Sequence, residues 1–547
     1  MIIPIIAYRN KTMKNKEETY KCKGFKLLSL SLKGNSLTGK SDLEYDFVDE
    51  NDEQNIIYTT VLIGANGTGK SNLFRIVIEL FKELHDLSLG KKRSYKVDGN
   101  FKLKFFLDGD IFEYTNESDT ESENGNQAFL LRNGSQVDFD EAQFPTAIVA
   151  NSIMLTDKFP FYRKENNDKG EKVDAFPIYK YLGARDLPQS ASTRAYVRRT
   201  VEFIVEQFRK GNSRESRFID NLRRATAFLE LDNYIDIIYK PLIGKVFFSG
   251  HLVPSSLDEY FEQIRERYQN SIRPPFKLNH YLKIKDDTKL IRSICDFCNG
   301  FTYINGAGTS SLRLASGTEI TYNLIEKESF RKLSDEYFLL EHMRQLGIVS
   351  SPEIGLKRTG GYSLQESSSG EYHFFSSVVG LMATVKAKNS LIIIDEPEIS
   401  LHPNWQMAYL SFLRDLFSHS DYANCHILVA THSHFLISDL KGDSSKIIGL
   451  KRADSGIEII DLPKELNTFG WSAEDVLYNV FNVASTRNKF VAEDIANILN
   501  HLSSGKTNKI NKLSKEKFDK LLYLEAALKE NDPLKKVVKT ILTKISK

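Results

Sequence analysis

Short apolar runs bounded by turn-forming residues alternate with longer stretches of helical periodicity along the chain. Residues 61–63, 391–394 and 427–430 form three such runs, each with the composition of a buried β-strand. After the first run and a glycine-rich loop, apolar residues recur at the spacing of a helix. Buried strands that alternate with helices are typical of a parallel sheet covered by helices, so we predict an α/β fold.

The loop that follows the first strand has the spacing of a phosphate-binding loop. Its residues are Gly64, Ala65, Asn66, Gly67, Thr68, Gly69, Lys70 and Ser71. The glycines let main-chain N–H groups turn towards phosphates, and the N-terminus of the following helix adds a favourable dipole. We expect Lys70 to reach the β- and γ-phosphates of a bound nucleotide, and Ser71 to offer its hydroxyl to Mg²⁺.

Two acidic residues end the second apolar run. Asp395 and Glu396 follow residues 391–394 directly. A doubly wound sheet binds its ligands at the carboxyl ends of its parallel strands. We therefore expect Asp395 to hold Mg²⁺, directly or through water, and Glu396 to act as general base towards an attacking water.

The order of these motifs resembles that of the ABC-type ATPase heads of the SMC and Rad50 class. A serine and glycine loop, residues 367–371, precedes the strand that carries Asp395, and a histidine follows the next strand. The resemblance implies ATP as the nucleotide. It also implies a signature motif, formed by Ser368, Ser369 and Gly370, that contacts ATP bound to the opposite subunit. Ser369 departs from the family pattern, because many members have a second glycine there.

The same resemblance assigns three further parts of the site. Ser400 and His402 would belong to a D-loop at the dimer contact, and His432 would be the switch histidine near the γ-phosphate, with His434 as the alternative. The family's Q-loop glutamine is not identified, since residues 146–159 contain none. Heads of this class hydrolyse ATP between two copies, so we expect a homodimer or a higher even oligomer.

The motif positions predict an ABC-type P-loop ATPase head built from two separated parts. Residues 1–159 carry the phosphate loop, and residues 336–465 carry the remaining motifs. Residues 160–335 show short helical patches and no sustained heptads, so we expect an inserted, mainly helical lobe rather than a long coiled coil. Residues 466–547 have apolar residues at helical spacing, which predicts a helical region that binds a partner.

An arginine-rich stretch within the expected lobe is a candidate surface for nucleic acid. We expect phosphate contacts from Arg198, Arg199, Arg209, Arg223 and Arg224. A solvated helix face with its own ion pairs is the alternative. The formal net charge of the whole chain is only +2, so the overall charge does not decide between the two.

Composition limits the class of protein. The apolar fraction of 41% and charged fraction of 27% are those of a folded soluble chain. No apolar stretch approaches the roughly 18–20 residues of a membrane span. The four cysteines are too few to cross-link 547 residues. We therefore expect a cytoplasmic protein without a membrane partner.

Two short motifs in the C-terminal region indicate a more specific family within the class of ATPase heads. Residues 471–475 read Trp-Ser-Ala-Glu-Asp and residues 485–487 read Ser-Thr-Arg. With the short-armed head, they make the chain similar to the PtuA family, the ATPases of Septu anti-phage systems, most of all to members found beside a retron reverse transcriptase. The resemblance implies a small HNH nuclease partner, like PtuB, and association with the reverse transcriptase and its RNA-linked DNA.

Two other functions stay open at this stage. One is a RecF-like DNA-repair ATPase that binds DNA junctions and uses ATP as a timer. The other is an ABC transporter subunit, which the lobe and the C-terminal region do not favour. The sequence carries neither an HNH pattern nor the acidic strand ends of a Toprim nuclease, so we expect a partner rather than this chain to cut nucleic acid.

Overall fold

The structure is a computed structural model. It describes residues 24–35, 42–48, 57–92, 97–117, 128–154, 156–162, 164–166, 172–183, 185–187, 190–191, 193–208, 215–243, 247–248, 250–269, 271, 274–300, 302–303, 313–314, 319–358, 362–363, 369–385, 388–399, 401–418, 424–438, 440, 444–453, 456–461, 468, 471, 475–476, 515–528 and 533–545. The chain divides into two compact units, Met1–Ala473 and Glu474–Lys547. Each unit is described by itself.

The strands and helices follow one another through both units. The strands are β1 (Phe25–Lys33), β2 (Leu43–Asp46), β3 (Tyr58–Gly64), β4 (Asn100–Leu107), β5 (Asp110–Thr115), β6 (Phe129–Arg132), β7 (Ser135–Val137), β8 (Ala147–Ser152), β9 (Lys164–Asn166), β10 (Lys172–Asp174), β11 (Tyr179–Gly183), β12 (Arg185–Leu187), β13 (Ser190–Ala191), β14 (Ile235–Tyr239), β15 (Thr302–Tyr303), β16 (Arg313–Leu314), β17 (Ile320–Asn323), β18 (Glu353–Arg358), β19 (Tyr362–Ser363), β20 (Ser390–Asp395), β21 (His426–Thr431), β22 (Ser445–Ala453) and β23 (Gly456–Asp461). The α-helices are α1 (Lys70–Ser88), α2 (Thr193–Phe208), α3 (Glu215–Phe228), α4 (Pro254–Arg267), α5 (Phe276–Ile284), α6 (Thr288–Gly300), α7 (Lys327–Gln345), α8 (Ser369–Thr384), α9 (Pro403–Phe417), α10 (Lys515–Ala527) and α11 (Pro533–Ile545).

The first unit contains a central sheet of seven strands. Its strand order is β11-β8-β20-β21-β3-β22-β23. All neighbouring strands are parallel except β22 and β23, which form an antiparallel edge. Strands β20, β21 and β3 are the three apolar runs predicted from the sequence. The predicted α/β class is confirmed.

The helix after the phosphate loop packs into a large apolar cluster of the first unit. Most of helix α1 is buried, and its residues Phe74, Val77 and Phe81 are fully buried. Phe81 packs against Phe25 of β1 and Phe105 of β4, with ring centroids 6.1 and 5.2 Å away. One apolar cluster joins α1, the seven-stranded sheet and a six-stranded antiparallel sheet of order β2-β1-β4-β5-β6-β7. A helix with this pattern is stable only when it is covered on both sides.

The inserted region differs from the predicted lobe in two ways. Strand β11 lies in residues 160–335 but forms the edge of the central sheet, so this sheet continues beyond the expected boundary at residue 159. The region also contains β14 and β17, which form a four-stranded antiparallel sheet with β18 and β19. Six further strands of its described part, β9, β10, β12, β13, β15 and β16, form three short two-stranded sheets. Helices α2 to α6 also lie in this region, and α2 and α3 contact α8.

The second unit contains a pair of helices. Leu521 of α10 packs with Val538, Ile541 and Leu542 of α11 in a small apolar cluster. Of the region 466–547 that was predicted to be helical, residues 477–514 lie outside the described residues. In the part of the chain that is described, no helix is both long and apolar enough to span a bilayer.

Candidate functional site

The strand register brings the predicted site residues to one edge of the central sheet. Asp395 pairs with Ala430 across β20 and β21, and Thr431 pairs with Ile63 across β21 and β3. Gly64 therefore ends its strand beside the residues that follow β21. The phosphate loop, the Asp395–Glu396 pair and the loop of His432 all begin at this edge.

The phosphate loop needs glycine for two different reasons. At Gly64 a Cβ would lie 2.4 Å from the carbonyl oxygen of Leu450, because β22 passes directly beside the end of β3. Gly69 has φ of 89° and precedes the first residue of α1, a conformation that residues with a Cβ rarely adopt. These constraints turn the loop over the N-terminus of α1, where main-chain N–H groups are free of helical partners.

Lys70 lies buried at the centre of the site. Its Nζ donates to the carbonyl oxygens of Gly64 and Ala65, at 2.9 and 3.3 Å, and lies 3.0 Å from Nε2 of His432. Burial lowers the pKa of Lys70 to about 8, although the charges of Glu396 and Asp395 act in the opposite direction. An anionic phosphate at this position would favour the charged ammonium.

Ser71 and Asp395 form the part of the site that fits a divalent cation. The hydroxyl of Ser71 donates to Oδ1 of Asp395 at 3.1 Å. Asp395 is only 2% exposed, and burial raises its pKa to about 7. A hydroxyl and a carboxylate are hard oxygen ligands of the kind that Mg²⁺ prefers, and a cation would compensate the buried charge. The donor set therefore fits the predicted Mg²⁺ site.

Glu396 and His432 face each other beside Lys70. Nε2 of His432 lies 3.2 Å from Oε1 of Glu396. The hydrogen bond with His432 lowers the pKa of Glu396, which keeps the carboxylate ionised as a general base requires. Glu396 has φ of 50°, a conformation uncommon for residues other than glycine, and its N–H donates to the carbonyl of Ala430 at 2.9 Å. Local strain of this kind is frequent at functional sites.

Three residues in contact with this centre did not stand out in the sequence. Oε1 of Glu398 accepts the main-chain N–H of His432 at 2.6 Å. The hydroxyl of Ser433 donates to Oε1 of Gln406 at 2.5 Å, and Nε2 of Gln406 donates to the carbonyl of Leu401 at 2.9 Å. The only sequence signal for them was closeness to Glu396 and His432.

The dimer motifs are described only in part. Ser368 and Ser400 lie outside the described residues, and Ser369 and Gly370 form the start of α8. His402 caps α9, because its Nδ1 accepts the N–H of Asn404 at 3.3 Å. His434, the alternative switch histidine, stacks against Phe435 with ring centroids 4.0 Å apart. Of the two histidines, His432 is the one in contact with Lys70 and Glu396.

The predicted surface arginines differ in their environments. Arg199 donates to the carbonyls of Gly183 and Arg185 at 2.6 and 2.7 Å and lies over the ring of Tyr181, so its guanidinium stabilises the fold. Arg198 is half-buried, and Arg209 lies outside the described residues. Arg223 and Arg224 are exposed on α3, where Arg223 pairs with Asp220 at 3.2 Å.

In residues 146–159, where the Q-loop was expected, the buried side chain of Asp157 makes hydrogen bonds to two residues of a neighbouring segment. Oδ1 of Asp157 accepts from Nη2 of Arg185 at 2.6 Å, and Oδ2 accepts from the hydroxyl of Tyr181 at 2.7 Å. This segment follows β8, whose last residue Ser152 pairs with Asp395. The ion pair thus fixes the chain where it leaves the sheet beside the metal site.

Comparisons with known proteins agree with this geometry. A family model described as "AAA domain, putative AbiEii toxin, Type IV TA system" matches residues 197–438. The Septu protein PtuA of Bacillus thuringiensis is 22% identical over 238 residues, which are 39% of this chain and 55% of the relative. The match thus spans about half the length of that curated relative. Together with the site, these two matches support an ATPase.

Solved structures give looser matches. The SMC head domain from Thermotoga maritima is 12% identical, with 80% of this chain and 99% of that chain covered and a TM-score of 0.33. The Smc head domain of Pyrococcus furiosus, solved with an extended coiled coil and the C-terminal domain of ScpA, is 13% identical, with 81% and 97% covered and a TM-score of 0.32. The functional proposal below does not rest on these two similarities.

Proposed function

We propose that this chain is the ATP-hydrolysing subunit of an anti-phage defence complex and that it regulates a partner nuclease. The observation that carries the ATPase part is the meeting of Lys70, Ser71, Asp395, Glu396 and His432 at one edge of the central sheet. These residues come from three separate loops, and together they supply a cation, a metal site, a base and a histidine. Phosphoryl transfer from ATP to water needs these four groups.

Each side chain has a role in that reaction. Lys70 neutralises charge on the β- and γ-phosphates. Ser71 and Asp395 would hold Mg²⁺, and the ion would supply charge neutralisation at the phosphate oxygens. Glu396 accepts the proton of the attacking water while the bond between the γ-phosphorus and the bridging oxygen breaks, which leaves ADP and phosphate. His432 faces both Glu396 and Lys70 and orients the reacting groups.

A second copy of the chain would complete the site. Ser368, Ser369 and Gly370 would contact the γ-phosphate across the interface, and Ser400 and His402 would lie at the dimer contact. The start of α8 at Ser369 supports this role, since a helix N-terminus is suited to an anion. ATP would then close a homodimer or higher even oligomer, and hydrolysis would let the copies separate.

The defence role rests on similarity rather than on the geometry of the site. The relative is named Septu protein PtuA, and the C-terminal region resembles that family. We propose a small HNH nuclease, like PtuB, as the protein that cuts nucleic acid. A reverse transcriptase and its RNA-linked DNA would be further partners in a retron system. Residues 466–547 are the proposed partner-binding region.

Two experiments test this function. The first measures phosphate release by the purified chain and by the Lys70→Ala variant. If the two activities are equal, the ATPase assignment is refuted.

The second experiment expresses the chain with its neighbouring genes and identifies co-purifying proteins by mass spectrometry. Recovery of a small HNH protein supports the defence role. Isolation of the ATPase alone, with tight binding to DNA junctions, would favour a RecF-like repair ATPase, for which the exposed Arg223 and Arg224 are the first residues to change.

A further inference from the structure

Two loops of the candidate site are tied together by side chains that have no assigned chemistry. We call residues 431–433 the switch loop and residues 397–399, which follow Glu396 directly, the acidic turn. Oε1 of Glu398, in the acidic turn, accepts the N–H of His432 in the switch loop. The distance of 2.6 Å is short for an N–H···O hydrogen bond. Burial raises the pKa of the Glu398 carboxyl, and this hydrogen bond acts in the opposite direction.

The main chain holds Glu398 in place. The N–H of Ile399 donates to the carbonyl of Glu396 at 3.3 Å, and the N–H of Leu401 donates to the carbonyl of Glu398 at 3.0 Å. These bonds close a compact turn directly after the general base. The carboxylate of Glu398 therefore projects from a fixed point towards the switch loop.

A second link fixes the neighbouring residue. Ser433 donates to Oε1 of Gln406 at 2.5 Å, and its N–H donates to the hydroxyl of Thr431 at 2.8 Å. Gln406 belongs to the first turn of α9 and donates to the carbonyl of Leu401. The switch loop thus has one attachment on each side of the peptide bond between His432 and Ser433.

We propose that Glu398 is a positioning residue for ATP hydrolysis, which sets His432 so that its Nε2 faces Glu396 and Lys70. The inference rests on the proposed ATPase function. Glu398 acts through the main chain of His432 and touches no reacting atom. Its loss would let the peptide at His432 turn, and a displacement of about 1 Å at a reacting group is enough to slow a reaction roughly 10²-fold.

Three substitutions separate the geometry of Glu398 from its charge. Glu398→Ala removes the acceptor, and we expect kcat to fall about 10- to 100-fold while KM and the affinity for ATP change less than about twofold. Glu398→Asp keeps the charge but withdraws the acceptor by about 1.5 Å, one C–C bond, so a similar loss is expected. Glu398→Gln keeps an oxygen at the same reach and restores most of kcat. Glu259→Ala, at an exposed position of α4, is the matched control.

A double-mutant cycle with His432→Ala gives the deciding result. If Glu398 acts only through His432, the double variant His432→Ala, Glu398→Ala has the same kcat as His432→Ala alone. Losses that multiply would overturn the inference, as would full activity of Glu398→Ala and Glu398→Asp. If Glu398→Ala does not fold, Glu398→Asp and the cycle built on it provide the same comparison.

The two proposals fail in different ways. Absence of ATPase activity in the parent, or no effect of Lys70→Ala, would refute the ATPase function itself. An active parent that depends on Lys70, with multiplicative losses in the cycle, would leave the ATPase function standing and remove Glu398 from the positioning role.

Discussion

The phosphate loop and the switch loop lie side by side, but they are held by different kinds of interaction. The phosphate loop takes its shape from glycine conformations and from the main chain, as the approach of Leu450 to Gly64 shows. The switch loop is held by side chains from another segment, Glu398 and Gln406. A loop of the first kind can be recognised from local sequence, whereas a loop of the second kind becomes visible only when distant segments are brought together.

The comparison also separates binding from chemistry. In the proposed function, the phosphate loop would contact the nucleotide before and after reaction, and the residues around the switch loop would act on the attacking water. Substitutions in the two regions should therefore change different kinetic constants. Four predictions follow, from the largest expected effect to the smallest. The first two test this separation of kinetic constants, and the last two test how the two regions are held in the fold.

Replacing Glu396 with glutamine should abolish hydrolysis without weakening ATP binding. The amide has nearly the same shape but cannot accept the proton, so kcat should fall about 10²- to 10⁴-fold. The affinity for ATP, measured with a fluorescent analogue, should stay close to that of the parent. Size-exclusion chromatography with ATP should show an accumulated dimer. Unchanged turnover would exclude Glu396 as the base.

Lys70→Ala should give the opposite pattern. The charged hydrogen bonds from Nζ to phosphate would be lost, and we expect ATP affinity to fall about 10²-fold or more. Equilibrium binding measures the effect, and the melting temperature without nucleotide is the control for folding. If the variant bound ATP like the parent but hydrolysed it slowly, Lys70 would act in the chemical step, as the switch-loop residues do. That result would contradict the separation of binding from chemistry.

Gly64→Ala tests the main-chain constraint on the phosphate loop. The added Cβ would approach the carbonyl of Leu450, so β3 and β22 must separate, at a cost of about 1–3 kcal/mol in the free energy of unfolding. Gly90→Ala is the matched control, since Gly90 also has positive φ, 70°, but a Cβ there meets no atom within 4 Å. The free energy of unfolding of both variants, measured with denaturant, distinguishes the steric contact of the new Cβ with β22 from the cost of a positive φ. Equal destabilisation would show that the approach of β22 does not constrain the loop.

The smallest effect concerns β21, the strand that leads into the switch loop. His426 of β21 is fully buried; its Nδ1 accepts the N–H of Leu27 at 3.0 Å, and its Nε2 lies 2.8 Å from the hydroxyl of Thr60. Burial lowers the pKa of His426 to about 3. Between this value and the usual pKa of about 6.5, the unfolded chain binds a proton that the folded chain does not.

Stability should therefore be full above about pH 6.5 and should fall as the pH decreases, by up to about 1.4 kcal/mol per pH unit from this one group. The free energy of unfolding at pH 5, 6 and 7 measures the slope. His426→Gln has no titrating group, so its slope should be shallower than that of the parent. Identical slopes would show that His426 is not the source.

Much of the central sheet and of the candidate site could be predicted from the sequence, because the signals for them lie in residues that are adjacent along the chain. The apolar runs, the glycine spacing and the acids at a strand end depend on neighbouring residues, so the α/β class was predicted correctly. The five residues that were predicted to form the nucleotide site also lie together in the structure: Lys70, Ser71, Asp395, Glu396 and His432. Their roles in catalysis stay predictions.

The parts that sequence did not reveal depend on tertiary contacts. Strand β11 joins the central sheet although it lies in the expected lobe, because its pairing with β8 cannot be deduced from its composition. The arginine pattern did not show that Arg199 is directed to two carbonyls of its own chain. Glu398 looked like one acid among several, because its partner is a main-chain N–H in a distant loop.

The position of β3 in the central sheet has a consequence for biogenesis. Tyr58 pairs with His426 and Thr59 with Ser445, so both neighbours of the phosphate-loop strand come from the last part of the first unit. At a synthesis rate of about 5–20 residues per second, this strand would wait about 20–80 s on the ribosome for its partners. During this interval an apolar strand with two unpaired edges is exposed to other nascent chains. The nucleotide site is therefore one of the last features of the first unit to form, and a chain interrupted before β21 cannot build it.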